Sequence, residues 1–305
     1  MGYNFLPYEN FLGLNEEQSA LETAGVIVMP IPYEGTVSYG GGTKFAPRAI
    51  IHASMQVELY DREFGKEYAA EYGVHTLPPL AANHNSPREM VFDVETAVYD
   101  IVSNHLGQLL FALGGEHSIS LGVGKGLARA YGSEKPMIVQ LDAHSDLRQE
   151  YDGTPFSHAS VARRLLEEGW DIVQIGVRSV SAEEVNVIEE FHDHVRTWFV
   201  DDLHLNHSWK RELTQRVMGR DVFLSIDIDG IDPSLIPATG TPEPDGLTWD
   251  EALEVIRIVA DNAGRVLGAD CVELAPIPGH HASEFITAKL IYKTMNILMD
   301  ARTDH

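Results

Sequence analysis

A single cysteine, Cys271, stands in 305 residues, so an internal disulfide framework is excluded. No run of 18 apolar residues occurs, which excludes a membrane-spanning helix. The first seventeen residues carry acids and no basic cluster ahead of an apolar stretch, so a secretory signal is not expected and a cytoplasmic protein is. Basic residues are scarce: 22 against 46 acidic ones, a net charge of -24. Such a surface repels nucleic acid and anionic membranes and favours a cationic small molecule, although solubility alone accounts for it equally well. There is no internal repeat, no low-complexity tract and no Pro/Ser linker. One domain over 1–305 is therefore expected, with the weakly periodic stretch 1–37 as an arm that packs on a neighbouring subunit.

What the chain does contain is a series of short apolar runs, at 26–29, 109–113, 137–141, 172–177, 222–226 and 266–269. Runs of this length with no polar alternation predict strands covered on both faces, as in a parallel sheet. Helical patterns lie between many of them. Thr248 with Glu251 and Ser181 with Glu184 have the capping-box spacing, and 283–299 predicts a final amphipathic helix. Alternating strands and helices point to an α/β domain with a mostly parallel sheet. Two glycine patterns do not carry nucleotide chemistry. The stretch from Gly35 to Lys44 has Gly41 where a phosphate loop needs lysine, and Leu127 stands where a third dinucleotide-binding glycine belongs. Turn and packing roles are expected for both.

Three of the apolar runs end in metal-ligand residue types. The run 109–113 leads into Gly114-Gly115-Glu116-His117, 137–141 into Asp142-Ala143-His144-Ser145-Asp146, and 222–226 into Asp227-Ile228-Asp229. Ligands of open α/β sheets bind beyond the carboxyl ends of the strands, so all three segments point at one sheet edge. Alternate residues of an extended chain share a face, so Asp142, His144 and Asp146 can converge, as can Asp227 and Asp229. A lone Asp-x-Asp or strand-end histidine is usually an ordinary polar residue. Four carboxylates gathered in one buried place are different, because they repel one another unless cations compensate them. Their oxygen-rich set, with two imidazoles and no thiolate, suits hard or borderline divalent ions such as manganese rather than structural zinc. Four carboxylates balance two divalent ions, and a shared hydroxide would leave the cluster slightly negative, which favours an approaching cation.

These three segments, with Ser118 after the first and Ser225-Ile226-Asp227-Ile228-Asp229 followed by Asp232-Pro233 as the third, resemble the signatures of the ureohydrolases, the family of arginase and agmatinase. The resemblance extends to Pro32-Tyr33-Glu34-Gly35-Thr36 and Val272-Glu273-Leu274-Ala275-Pro276, and so covers most of the chain. It implies a three-layer α/β/α sandwich and homo-oligomers, trimers or hexamers. It implies two Mn2+ per subunit, one held by His117, Asp142, Asp146 and Asp227, the other by Asp142, His144, Asp227 and Asp229. It also implies that His158 shuttles protons, that Glu273 holds the guanidinium group, and that Asp146 accepts a hydrogen bond from the nucleophile. The chemistry is consistent with these roles. A guanidinium carbon is a poor electrophile, so hydrolysis needs a strong nucleophile at neutral pH, which two metals sharing a water would supply. The departing amine must be protonated, and imidazole titrates in the useful range.

Agmatine, split to putrescine and urea, is the expected substrate. In arginases the loop after the second motif carries Asn, Thr and Ser groups for an amino acid's α-substituents. Here it reads Arg148-Gln149-Glu150-Tyr151-Asp152-Gly153-Thr154-Pro155-Phe156, closer to agmatinase, as is Gly176-Val177-Arg178-Ser179-Val180. Acidic and aromatic groups suit a distal ammonium. Gly230 and Ala238 are more arginase-like, and Arg148 could meet a carboxylate, so arginase, guanidinobutyrase and guanidine hydrolase activities stay open. Other classes are a two-metal phosphoesterase, which would need more basic residues, and a non-catalytic metal-binding regulatory subunit, which need not keep every ligand. His280 and His281, after Glu273, are candidate substrate neighbours. His192 and His194 are expected in an exposed helix end, and Arg178 in a capping or pairing role near its strand.

Overall fold

The computed structural model describes residues 9–205 and 208–303. Ten strands occur among them: β1 (Val26–Ile31), β2 (Tyr60–Asp61), β3 (Lys66–Glu67), β4 (Val74–Thr76), β5 (Leu109–Gly114), β6 (Met137–Leu141), β7 (Asp171–Val177), β8 (Val195–Phe199), β9 (Asp221–Asp227) and β10 (Arg265–Val272). Eight of them form one sheet in the order β4-β1-β5-β10-β9-β6-β7-β8, while β2 and β3 make a separate hairpin pair. The sheet was expected to be mostly parallel, and every ladder described in it is parallel.

The apolar runs become strands because successive residues face opposite cores. Val26, Val28, Phe111, Val139, Leu224 and Ile226 point to one layer, with residues of the helices Ala46–Ser54, Trp249–Asn262 and Ala282–Thr303. Ile27, Met29, Leu110, Ile138 and Phe223 point to the other, with the helices Pro87–Asn104, Ile119–Tyr131 and Val161–Glu167. This is the three-layer α/β/α sandwich. Both capping boxes form, at Ser181/Glu184 and Thr248/Glu251. The glycines that lacked dinucleotide spacing lie inside the helix Ile119–Tyr131. There a Cβ on Gly122 would come 2.5 Å from Val91 O, and one on Gly126 2.7 Å from Glu95 O, so both serve close helix packing.

The stretch 1–37 is described from residue 9. Phe11 and Leu12 are buried in this chain's own core, the Phe11 N–H donates to Thr76 Oγ1, and β1 is an inner strand. From residue 9 onward that stretch is thus part of the body of this chain, because an unbroken apolar run needs cover on both faces. Two edge strands, β4 and β8, carried no clear apolar run. The first is three residues long, and the second has Arg196 as the second of its five residues.

One feature of this topology places the site. From β5 the chain crosses to β6, three positions away, and β9 and β10 later fill the gap. Pairing of Cys271 with Leu113, Val272 with Asp227 and Ile226 with Leu141 aligns the carboxyl ends of these four central strands.

Candidate metal centre and catalytic cleft

The segments leaving β5, β6, β9 and β10 meet at that edge. His117 Nδ1 lies 3.2 Å from Asp142 Oδ2 and 3.0 Å from both Asp146 Oδ2 and Asp227 Oδ2. A second group joins Asp142, His144 and Asp229, with His144 Nδ1 2.9 Å from Asp229 Oδ2 and 3.7 Å from Asp142 Oδ1. All six residues named from the sequence are brought together. Five are buried, and His144 is partly so.

Backbone contacts fix the carboxylates. Asp142 accepts the His144 N–H (2.6 Å) and Asp229 the Ala143 N–H (3.0 Å), while Asp227 accepts the Asp229 N–H (2.8 Å). His117 Nε2 is 3.1 Å from Ser225 Oγ, and the hydroxyls of Ser225 and Ser120 donate to the buried Asp270. With both Asp270 bonds taken as donors, Ser225 has only lone pairs left for His117, so the ring carries its proton on Nε2. Nδ1 then offers a lone pair toward three carboxylates. It makes a hydrogen bond to none of them. A buried nitrogen crowded by three oxygens yet unbonded to any is the arrangement of ligands around a common cation.

The electrostatics agree. Among the described residues, no Lys or Arg is ion-paired to Asp142, Asp146, Asp227 or Asp229. Burial, with Asp229 and Asp146 nearby, pushes the Asp142 carboxyl up to about 7, and burial with Asp229 and Asp142 raises Asp227 well above the carboxylate range. Burial would lower His144, but the Asp229 and Asp142 carboxylates outweigh it and raise it to about 10. Asp229 moves the other way: burial raises it, and His144 more than reverses that. Metal-free protein should therefore lose stability as pH rises. Asp142, Asp227 and His144 all have raised folded values, so their contribution is present at low pH and is lost as pH climbs through those values. The expected result is a melting temperature that falls between pH 6 and 9 without divalent metal and recovers when metal is added. A pH-independent melting temperature that ignores metal would contradict it.

Glu273 follows β10 and shares the cleft with these residues. Its Oε1 accepts the His117 N–H at 2.6 Å, and its φ of +63° is left-handed. Asp146 has φ +53°. Left-handed backbone at two non-glycine residues of one cleft is strain that surrounding contacts must hold. Burial pushes the Glu273 carboxyl up to about 8, with the His117 N–H opposing and Glu116 reinforcing the rise. His158 opens the short turn His158–Ser160 and stands edge-on to Tyr151, with ring centroids 5.4 Å apart.

Gly115 carries the frame. Its N–H donates to Ile31 O and its carbonyl accepts the Glu273 N–H, while a Cβ there would lie 1.8 Å from Tyr33 O. Backbone cannot yield as a flexible side chain would, so Gly115→Ala is expected to destabilise the fold by about 3 kcal/mol or more. Denaturant melts of the two proteins check this, and coincident curves would refute it.

The cleft has a volume of about 300 Å³, room for a small molecule. Besides the residues above, Ser38, Arg148, Thr241 and Glu243 line it. Arg148 lies 3.8 Å from Glu184 and 5.5 Å from the Tyr151 ring centre. Arg178 donates to the carbonyls of Gly176, Asp229 and Glu243, so it ties loops together. His280 and His281 are not among the lining residues. His192 is exposed, and His194 pairs with Asp171 at 2.8 Å, away from the cleft. Asp270, Glu116, Ser38 and Glu243 were not singled out from sequence. Asp270 had a usable signal, an acid inside an otherwise apolar strand.

Comparison with known proteins agrees with this architecture. A sequence model described as the Arginase family matches residues 24–296. An N(1)-aminopropylagmatine ureohydrolase of Synechocystis is 38% identical over 286 residues, 92% of this chain and 91% of that one. An agmatinase of Bacillus anthracis is 30% identical, over 89% of this chain and 93% of its own. The crystal structure of the agmatine ureohydrolase of Thermoplasma volcanium superposes with a TM-score of 0.85 at 30% identity, covering 98% of this chain and 97% of that one. With the family matched across nearly all of its length, this chain belongs to the arginase family of ureohydrolases.

Proposed function

We propose that the protein hydrolyses a cationic guanidine, most simply agmatine to putrescine and urea, at a centre that holds two divalent metal ions. The observation that carries this reading is the buried meeting of four carboxylates and two imidazoles beside Glu273. His117, Asp142, Asp146 and Asp227 would hold one ion, and Asp142, His144, Asp227 and Asp229 the other, with Asp142 and Asp227 shared. An all-oxygen and imidazole donor set suits manganese. Ions held there supply a water acidic enough to attack carbon at neutral pH. Glu273 binds and orients the guanidinium group, and His158 moves a proton to the departing nitrogen.

Two observations favour a substrate with a second positive charge. Arg148, the group that would receive a substrate carboxylate, already faces Glu184. Glu243 lines the cleft half-buried, and among the described residues its carboxylate has no ion-pair partner. Both agmatine and its aminopropyl derivative carry an ammonium at the far end, and the relatives named above act on such compounds by name.

The deciding experiment is urea release by the manganese-loaded protein against agmatine, N(1)-aminopropylagmatine, arginine, 4-guanidinobutyrate and guanidine. No urea from any of them would end the ureohydrolase reading, and a preference for guanidinobutyrate would end the dicationic one. Glu243→Gln is expected to raise KM for agmatine about tenfold, the size of one partly exposed ion pair, and to leave guanidine turnover unchanged. Equal effects on both substrates would remove Glu243 from recognition.

We also read the chain as one domain that assembles with copies of itself. The accessibility of Tyr39 (87%) and Phe45 (62%) supports such a contact. Among the described residues no helix is long and apolar enough to cross a membrane.

A further inference from the structure

His158 lines the cleft and is held there by residues outside the metal cluster. Glu116 is buried and accepts four hydrogen bonds. Its Oε2 takes the N–H groups of Gly35 and Thr36, each at 2.6 Å, and its Oε1 takes the hydroxyls of Thr36 (2.7 Å) and Ser118. Each of its two oxygens thus accepts from two donors. The one hydroxyl proton of Thr36 is therefore committed to Glu116, and only the lone pairs of Thr36 Oγ1 remain. Two groups of His158 lie against them, its backbone N–H at 3.0 Å and its Nδ1 at 3.2 Å. A lone pair can bond Nδ1 only if that nitrogen carries a hydrogen. On the other side of the ring, Nε2 is 3.1 Å from Ser38 Oγ, an exposed hydroxyl that lines the cleft. By rotating, Ser38 can donate to a neutral Nε2 or accept from a protonated one, so neither state costs a bond.

We propose that Thr36, braced by Glu116, fixes His158 in its Nδ1–H form, so that Nε2 is the atom that carries the proton to the departing amine. This rests on the proton-transfer role given to His158 above. The overall exchange is balanced: a guanidinium cation and one water become urea and an alkylammonium, so both protons gained by the amine nitrogen come from that water. His158 takes one on Nε2 and releases it as the C–N bond breaks and its electron pair goes to nitrogen. With the proton on Nε2 in the resting neutral ring, the basic lone pair would instead face Thr36, away from the substrate. Thr36 is thus a positioning residue. Ser38 matters less, since water can replace an exposed hydroxyl.

Thr36→Val keeps the shape and removes the hydroxyl. Metal content and KM for the turned-over guanidine are expected to stay within about twofold while kcat falls about tenfold or more, and Thr36→Ser is expected to restore kcat to within about threefold. A second measurement needs no variant of Thr36. Ring nitrogen NMR of the 15N-histidine protein, loaded with diamagnetic magnesium and assigned with His158→Gln, should show a protonated Nδ1 and a bare Nε2 when His158 is neutral. An Nε2–H ring, or a Thr36→Val enzyme with wild-type kcat, overturns the proposal. If His158→Ala itself keeps full kcat, the proton-transfer reading falls first and the role of Thr36 falls with it. If His158→Ala loses about a hundredfold while Thr36→Val loses nothing, only the present inference is lost.

Discussion

Asp227→Asn is expected to abolish urea release, with kcat lower by at least about a thousandfold, or some 4 kcal/mol in barrier, and bound divalent metal below two per chain. Asp227 stands at the carboxyl end of β9, paired in register with Val272 and within 3.0 Å of His117 Nδ1. It is the carboxylate that both proposed ion positions share with Asp142. An amide is nearly isosteric but brings no charge, and its NH2 would point a donor where a cation must sit. The effect on stability should have the opposite sign without metal. Burial and the charges of Asp229 and Asp142 already oppose ionisation of Asp227. Neutralising it relieves that repulsion, so metal-free Asp227→Asn should melt at or above the metal-free wild type. Metal should then stabilise the wild type much more than the variant. Calorimetry with and without manganese, beside metal analysis, reads both signs. A variant that keeps two metals and its turnover would remove Asp227 from the site, and a metal-free variant that melts well below wild type would show that the carboxylate is structural.

The parts of this molecule legible in the sequence are those where one physical demand acts alone. An inner parallel strand must be apolar on both faces, and β1, β5, β6, β7, β9 and β10 all read that way. Ligand-type residues after such runs can face only one edge, so the six metal candidates could be named before any coordinates. Edge strands serve mixed demands: β8 packs Trp198 inward while Arg196 reaches Glu212 outward, and its apolar signal is broken. The partners that orient the site were hidden for another reason. Thr36 and His158 are 122 residues apart, and Glu116 is 80 residues from Thr36, so only the folded topology joins them. Glu243 was silent because an acid in a Gly/Pro loop resembles any solvated turn until its place in the cleft is seen.

The second large effect is expected at Glu273. Glu273→Gln should lower kcat/KM for the preferred guanidine about a thousandfold while leaving two metals bound, which separates it from Asp227→Asn. Glu273 is 8% exposed, and its Oε1 accepts the His117 N–H. The other oxygen, the second lone pair of Oε1 and the net charge remain for substrate. Burial has pushed the carboxyl up to about 8, so near neutral pH the empty site holds mostly the protonated acid. A guanidinium cation arriving in that low-dielectric place pulls the value back down, and the energy of that shift is binding energy. Free substrate stays charged across this range, because guanidinium does not deprotonate near neutrality. Affinity should therefore rise with pH as Glu273 ionises, and this dependence should vanish in Glu273→Gln. The loss should fall on kcat as well as KM. A two-point carboxylate fork aligns the planar cation against the nucleophile, whereas an amide offers one acceptor and one clashing donor. Metal-free Glu273→Gln should melt no lower than wild type, since it removes a buried charge that Glu116 opposes. Steady-state kinetics from pH 6 to 9 decide the matter: unchanged kcat/KM in the variant, or a wild-type KM flat with pH, would show that the guanidinium group is held elsewhere.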